Sequence, residues 1–246
     1  MKRGKWKVKL SDFKVLIFDC YGTLIDWEGG MIKHLKPLTD RVTGLTRNEI
    51  LEAHAFFESF QQAQTPSKNY QDILATVYRR LAEKWGIPVT VEECKKYGRS
   101  VGEWEAFGDS AESLSYLKRH FMLVILSNVD HASFAGSNAR LGVNFDALYL
   151  AEDIGYYKPN GENFEYMLRM LDTIGYGKND VLHVAESLFH DHVPAKRHGL
   201  HNCWIYRRHD QEGFGATMNP GDMPSVDFQF NSMAELAAAH KAEVSG

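Results

Sequence analysis

The sequence predicts an α/β fold, in which a three-layer core built on a parallel sheet carries an inserted all-helical cap. Short apolar runs recur along the chain, and helical patterns separate most of them. The first run, residues 14–19, is almost continuously apolar, which is typical of a strand buried on both faces of a parallel sheet. Strands that alternate with helices favour right-handed crossovers and a helical layer on each face of the sheet.

The later elements of the core follow from the same patterns. Further strands are predicted for the apolar runs at residues 121–126, 147–150, 181–185 and 202–206. Helices are predicted at residues 111–120, 163–174 and 232–243.

The cap is predicted for residues 27–106, so that residues 1–26 and 107–246 form the core. This segment has no convincing strand, and helical patterns succeed one another at residues 32–42, 47–64, 70–85 and 91–100. Thr46 and Thr90 are expected to cap two of these helices, each with a glutamate three residues later, and Gly86 is expected to end the third helix. We expect the cap to lie over the carboxyl ends of the strands, where open α/β sheets bind ligands.

Composition and charge narrow the range of functions. The chain has 246 residues, a net charge of -4 and a sequence pI of about 6.3, which is not the electrostatic pattern of a nucleic-acid-binding protein. No apolar stretch approaches the ~20 residues of a membrane span, and no secretory signal follows the basic start. The three cysteines lack metal or disulfide spacing. We therefore expect a cytoplasmic protein that acts on a small molecule, without a nucleic-acid or membrane partner.

Polar residues follow the predicted strands at several ends. Asp19 ends the first strand, Ser127 and Asn128 follow the second, and Lys158 stands in a later loop, while Glu186, Ser187 and Asp191 follow the fourth strand. Because the ends of parallel strands share one edge of the sheet, these side chains are expected to share one pocket. A buried carboxylate needs a cation or donors beside it, and Lys158, Thr23 and Ser127 are the candidates for Asp19.

These residues carry a resemblance to the haloacid dehalogenase superfamily. Its four motifs match, in order and separation, Asp19–Leu24, Ser127-Asn128, Lys158-Pro159, and Glu186-Ser187 with Asp191. The resemblance spans nearly the whole chain and implies a Rossmann-like core, with the helical insert as the cap that many members carry. It also implies that Asp19 is a covalent nucleophile and that the cap offers a surface for a homodimer.

Tyr21 indicates which chemistry the resemblance implies. Superfamily phosphatases carry a second aspartate at this position, which protonates the departing alkoxide, whereas the ordinary pKa of tyrosine, near 10, suits that task poorly. A halide leaves without a proton. The chain is therefore most similar to the type II 2-haloacid dehalogenases, and the implied substrate is a small 2-substituted carboxylic acid.

The resemblance also implies roles for the other residues. Lys158 would pair with Asp19, Thr23 and Ser127 would donate hydrogen bonds, and Asp191 would orient the attacking water. Asn128 would contact the substrate carboxylate or the halide, and Tyr21 and Ser187 are expected in the substrate site. No metal or other cofactor is required in this scheme.

Two departures from the type II pattern leave alternatives open. The cap helix lacks the arginine that these enzymes use for the anion, so His54, or else Arg47, is the candidate to replace it. Glu186 and Asp191 also have the acidic spacing of the magnesium-binding phosphatases, so Asp19, Glu186 and Asp191 could hold Mg²⁺. A Mg²⁺-dependent phosphatase of small metabolites and a non-catalytic binding protein are therefore the alternatives.

Overall fold

The computed structural model describes residues 8–245 and contains the predicted parallel sheet. Its strand order is β3-β2-β1-β4-β5-β6, and every neighbouring pair is parallel. The strands are β1 (Val15–Phe18), β2 (Met122–Ser127), β3 (Ala147–Leu150), β4 (Val181–Ala185), β5 (His201–Ile205) and β6 (Phe228–Phe230). The predicted fold class is confirmed, and each predicted strand is present. The sixth strand was not predicted, because three residues at a sheet edge give too short a pattern.

Strand β1 is central in the sheet and sets the position of Asp19. All of its residues are buried, and Phe18 is in register with Ile125 of β2 and with Val184 of β4. Alternate residues face opposite layers: Val15 and Ile17 pack into one hydrophobic cluster, and Leu16 and Phe18 into another. Asp19 therefore emerges at the middle of the carboxyl edge, between the ends of β2 and β4.

Helices cover both faces of the sheet and fill the predicted cap. Those of the proposed cap are α1 (Trp27–Thr39), α2 (Arg47–Gln64), α3 (Tyr70–Trp85) and α4 (Val91–Arg99). The others are α5 (Ser110–Leu117), α6 (His131–Leu141), α7 (Ala151–Ile154), α8 (Gly161–Thr173), α9 (Val193–Arg197) and α10 (Met233–Ser245). Within residues 8–245, no helix is both long and apolar enough to cross a membrane.

The predicted helix signals are present, with one error at the start of the cap. Thr46 and Thr90 cap α2 and α4 through complete capping boxes, and Gly86 ends α3 in the left-handed conformation at φ 69°. Helix α1, predicted from residue 32, begins five residues earlier, because Asp26 accepts a hydrogen bond from the Gly29 amide at 2.9 Å. Because glycine disfavours helices, the two adjacent glycines in the first turn kept this start from being predicted.

The segment proposed as the cap leaves the core and returns to it at one place. Its flanking residues Ile25 and Ala106 form an antiparallel bridge, and the Asp26 amide donates to the Glu105 carbonyl at 2.8 Å. No strand lies between these points, all of which belong to the part of the chain that the structure describes. We keep residues 27–106 as the proposed cap, because paired entry and exit points suit an inserted helical unit.

The cysteines are buried and unpaired. Cys20 and Cys203 have no exposed surface, and Cys94 is 7% exposed. Burial raises the pKa of all three thiols. Cys20 packs into the hydrophobic core.

Gly30 allows α1 to pack against the buried Trp104, whose ring in turn meets the Tyr21 ring edge to face at 5.9 Å. A Cβ atom on residue 30 would lie 2.3 Å from the Trp104 ring. We expect Gly30→Ala to lower the free energy of unfolding by about 1–3 kcal/mol through overpacking. Gly108→Ala is the matched control, since its Cβ would meet nothing within 4 Å, and it should change stability by less than about 0.5 kcal/mol. Equal denaturation midpoints for the two variants would contradict this packing argument.

Candidate active site

Most of the predicted site residues converge on a small cavity at the carboxyl edge of the sheet. Its volume is about 30 Å³, which is room for about two water molecules. The cavity is lined by Asp19, Tyr21, Trp27, Glu58, Tyr70, Ser127, Asn128, Val129, Lys158, Ser187, His190 and Asp191. Core and cap residues both contribute to the lining, so the site lies between the sheet edge and the helices above it.

A buried lysine joins two carboxylates at the base of the cavity. Lys158 Nζ lies 3.0 Å from Asp19 Oδ1 and 2.7 Å from Asp191 Oδ1, and it also donates to the Leu126 carbonyl at 2.9 Å. These bonds use all three ammonium donors. Burial alone would lower the pKa of Lys158, but the two carboxylates outweigh burial and raise it. Lys158 is therefore a fixed cation that holds both acids in place.

Asp19 is held at its other oxygen by Thr23. The Thr23 hydroxyl donates to Asp19 Oδ2 at 2.8 Å and accepts from the Glu186 amide at 2.9 Å, which orients its proton towards Asp19. Burial raises the pKa of Asp19, and Asp191 adds to this, while Lys158 opposes it. Each oxygen of Asp19 has one partner, so a lone pair remains for attack on a ligand in the cavity.

The surroundings of Asp191 shift its pKa in the direction opposite to that of Asp19. Its Oδ1 accepts from Lys158 and from His183 Nε2 at 2.9 Å, whereas its buried Oδ2 has no partner among the described residues. Although burial opposes ionisation, Lys158 and His183 hold the pKa of Asp191 well below its usual range. Asp191 thus presents an ionised, unused acceptor to the cavity. The orienting role of His183 was not predicted, because this residue lies inside a strand and not at its end.

Ser127 and Asn128 lie in the cavity, but their contacts differ from those expected. The buried Ser127 hydroxyl has no partner among the described residues, so the predicted hydrogen bond to Asp19 is absent. Asn128 accepts from the Lys158 amide at 2.6 Å and donates to the Lys158 carbonyl at 3.0 Å. Asn128 therefore fixes the main chain of Lys158 and has one amide hydrogen left for a ligand. The Ser127 hydroxyl is a second donor that a ligand could use.

Tyr21 and Ser187 line the cavity with their polar atoms engaged. The Tyr21 hydroxyl hydrogen-bonds the Ser137 hydroxyl at 2.8 Å, and burial raises its pKa well above the ordinary value. The Ser187 hydroxyl accepts from the His190 amide at 3.1 Å and lies 3.0 Å from His190 Nδ1. It thereby caps the π-helical turn Leu188–His192, which carries Asp191.

Neither predicted substitute for the cap arginine lies in the cavity. His54 is fully buried and bonds the Tyr97 hydroxyl at 2.8 Å, so it is not in the cavity lining, which corrects its assignment as a substrate-binding residue. Arg47 pairs with Glu28 at 3.5 Å, beside a separate cavity of about 180 Å³. The residues of the proposed cap that line the site are Trp27, Glu58 and Tyr70, and Glu58 lies one turn after His54.

Glu58 was not predicted as a site residue, although the sequence contained a signal. His54, Glu58 and Gln62 recur every four residues on α2, and all three are buried. A polar stripe on the buried face of a helix is costly unless its members bond one another or a ligand. Glu58 of this stripe and Tyr70, which follows it in the sequence, form part of the cavity wall.

The acids proposed for magnesium do not gather into one site. Glu186 lines two other cavities, of about 350 Å³ and 180 Å³, and is not in the lining of the cavity that holds Asp19. Lys158 occupies the position between Asp19 and Asp191. Within residues 8–245, no three carboxylate, imidazole or thiol side chains form a metal-binding group. The donor set Asp19, Glu186 and Asp191 therefore does not fit Mg²⁺.

The fold and the cavity define an α/β protein that presents a buried aspartate, paired with lysine, at the end of its central strand. The family model for haloacid dehalogenase-like hydrolases matches residues 13–195. The chain therefore belongs to the haloacid dehalogenase-like hydrolases, as the motifs predicted.

Individual relatives are distant in sequence. The chain is 24% identical over 204 residues to the putative HAD-hydrolase YfnB of Bacillus subtilis, covering 80% of this chain and 85% of that protein. A structure of YfnB bound to magnesium aligns with a TM-score of 0.72 at 19% identity, over 93% and 99% of the two chains.

Two solved dehalogenases share the fold. The defluorinating L-2-haloacid dehalogenase Rha0230 aligns with a TM-score of 0.75 at 17% identity, over 95% of this chain and 98% of that one. The L-2-haloacid dehalogenase of Xanthobacter autotrophicus, with chloropropionic acid covalently bound, gives 0.72 at 16% identity, over 93% and 98%. At 16–17% identity, the structural similarity shows a shared fold only.

Glu186 gives the stability of the protein a predictable pH dependence. Burial, and then Glu28 and Asp19, raise its pKa from the ordinary 4.5 to about 8. Between those values the folded protein keeps a proton that the unfolded chain has released. The free energy of unfolding therefore falls as the pH rises through this window.

We expect Glu186→Gln to remove this dependence. From about pH 5 to about pH 9, the wild type should lose a few kcal/mol more than the variant, since one pKa unit corresponds to about 1.4 kcal/mol. Denaturant unfolding at several pH values measures the difference. Glu165→Gln, at an exposed position of α8, is the control and should follow the wild type. Parallel curves for the wild type and Glu186→Gln would contradict the raised pKa.

Proposed function

We propose that the protein is a metal-independent hydrolase that cleaves the carbon–halogen bond of a small 2-haloacid through an ester of Asp19. The observation that carries this proposal is a buried nucleophile with no proton donor for the leaving group of the first step. The Tyr21 hydroxyl bonds Ser137, and burial lowers the pKa of His190, so neither supplies a proton at neutral pH. A halide leaves without one, whereas an alkoxide does not.

In the first step, an Asp19 oxygen attacks the carbon that bears the halogen. The carbon–halogen bond breaks, the halide leaves with the electron pair, and Asp19 becomes a neutral ester. Lys158 remains paired with Asp191, so loss of the Asp19 charge does not leave the buried cation alone. Two uncommitted donors, the buried Trp27 indole N–H and the second amide hydrogen of Asn128, suit the halide.

In the second step, water attacks the carbonyl carbon of the Asp19 ester. Asp191 Oδ2, which is buried without a partner, accepts the water proton and returns it to the departing 2-hydroxy acid. Lys158, 3.0 Å from Asp19 Oδ1, stabilises the negative charge that develops on that oxygen. The overall reaction consumes one water and yields a 2-hydroxy acid, halide and a proton.

The relatives support this proposal without testing it. Rha0230 is a defluorinating L-2-haloacid dehalogenase, and the Xanthobacter enzyme carries chloropropionic acid covalently bound. In our proposal the protein works in the cytoplasm on a small molecule, with no nucleic-acid or membrane partner. The homodimer stays a prediction.

Asp19→Asn tests the nucleophile. We expect the wild type to release halide from chloroacetate or fluoroacetate, and the variant to lose on the order of 10³-fold or more in kcat/KM, because an amide cannot form the ester. Asp172→Asn, at an exposed position of α8, is the control and should keep full activity. Full halide release by a folded Asp19→Asn protein would refute the covalent mechanism.

Chelation separates the proposal from the alternatives. Because the carboxylates do not form a metal site, halide release should change by less than about twofold in excess EDTA. A Mg²⁺-dependent phosphatase would instead hydrolyse an aryl phosphate, lose that activity in EDTA and regain it with Mg²⁺. Binding of small carboxylates without turnover of either substrate would favour a non-catalytic binding protein.

A further inference from the structure

The cavity contains more negative charge than its one lysine balances. Three carboxylates line it, those of Asp19, Glu58 and Asp191, and the only lysine or arginine in the lining is Lys158. All three donors of Lys158 are already used on Asp19, Asp191 and a main-chain carbonyl. A free carboxylate that entered this cavity would meet no uncommitted cation.

Glu58 is a fixed hydrogen-bond acceptor in the wall opposite the strand ends. Its Oε1 accepts from the Tyr70 hydroxyl at 2.9 Å and from Gln62 Nε2 at 3.0 Å. Its Oε2 lies 3.4 Å from His54 Nδ1, an atom that has no hydrogen-bond partner. Glu58 is 6% exposed and lines the cavity, so Oε2 is available to a donor on a ligand.

The uncommitted polar atoms define what the ligand must offer. The acceptors are the buried Asp191 Oδ2 and Glu58 Oε2, which forms no hydrogen bond within residues 8–245. The neutral donors are the Ser127 hydroxyl, the Trp27 indole N–H and the second amide hydrogen of Asn128. A carboxylate has acceptors only, so it can use these donors but opposes the two acceptors. A primary amide offers two N–H donors and one carbonyl oxygen, and so matches both sets.

The size of the cavity does not discriminate between the amide and the acid. Chloroacetate and chloroacetamide have the same number of heavy atoms, so exchanging O⁻ for NH₂ needs no more room in a cavity of about 30 Å³. The exchange removes an anionic charge from a buried space that already holds three carboxylates. The amide carbonyl keeps the neighbouring carbon activated for attack by Asp19.

We propose that the preferred substrate is the neutral primary amide of a small 2-haloacid, and that Glu58 selects it over the free acid. The inference rests on the proposed reaction and replaces the free acid by its primary amide as the preferred substrate. Asp19 attacks the carbon that bears the halogen, the halide leaves with the electron pair, and water releases the 2-hydroxyamide from the ester. The amide bond stays intact, and the products are 2-hydroxyamide, halide and a proton.

The test compares chloride release from chloroacetamide and from chloroacetate. We expect the wild type to prefer the amide at least tenfold in kcat/KM. Glu58→Gln should lower that ratio at least tenfold, because the glutamine NH₂ repels the amide donors and can donate to a carboxylate. Glu52→Gln, an exposed position on the same helix, removes the same charge outside the cavity and should keep the wild-type ratio. Asp19→Asn supplies the background rate.

The outcomes distinguish this inference from the proposed function. Chloride release with equal or better use of chloroacetate by the wild type would overturn the amide preference and leave dehalogenation standing. Chloride release from neither compound would overturn dehalogenation itself. If the amide-to-acid ratio of kcat/KM were unchanged in a folded Glu58→Gln protein, Glu58 would not select the substrate. Release of ammonia in place of chloride would show cleavage of the amide bond and overturn the inference. The wild-type ratio decides the preference even if the variant fails to fold.

Discussion

The bridge from Lys158 to Asp19 and Asp191 is the interaction on which the site depends. One ammonium and two carboxylates are buried together at a sheet edge, and each carboxylate is tolerable only because Lys158 lies within 3.0 Å of it. The surroundings keep them there: Asn128 fixes the main chain of the lysine, and His183 fixes one carboxylate. Removing Lys158 would leave two carboxylates without a cation in the interior.

The shared lysine divides two chemically identical side chains into different roles. Burial raises the pKa of Asp19, while Lys158 and His183 lower that of Asp191. Environments that separate the pKa values of neighbouring acids are a common way to assign distinct functions in one site. The core thus supplies the reacting groups, and the cap contributes Glu58 and Tyr70, which shape what can enter.

The fold and the core half of the site could be predicted because both follow from local patterns. Continuous apolar runs mark buried parallel strands, and a polar residue at the end of such a run points to the shared edge. The cap half could not be predicted in the same way. His54 and Glu58 lie one turn apart on the same face of α2, and periodicity cannot tell which of them reaches the cavity. That depends on how α2 packs against the rest of the chain, which a local pattern does not contain.

The burial of the cysteines has a consequence for the proposed reaction with halogenated carbon. Such compounds alkylate accessible thiolates, and the reactive form is the thiolate. All three thiols are buried, with their pKa raised, so they are mostly protonated and out of contact with solvent. Cys20, adjacent in sequence to Asp19, points into the core instead of the cavity. Asp19 can thus meet an electrophile in the cavity while the three cysteine thiols are protected from the same reagent.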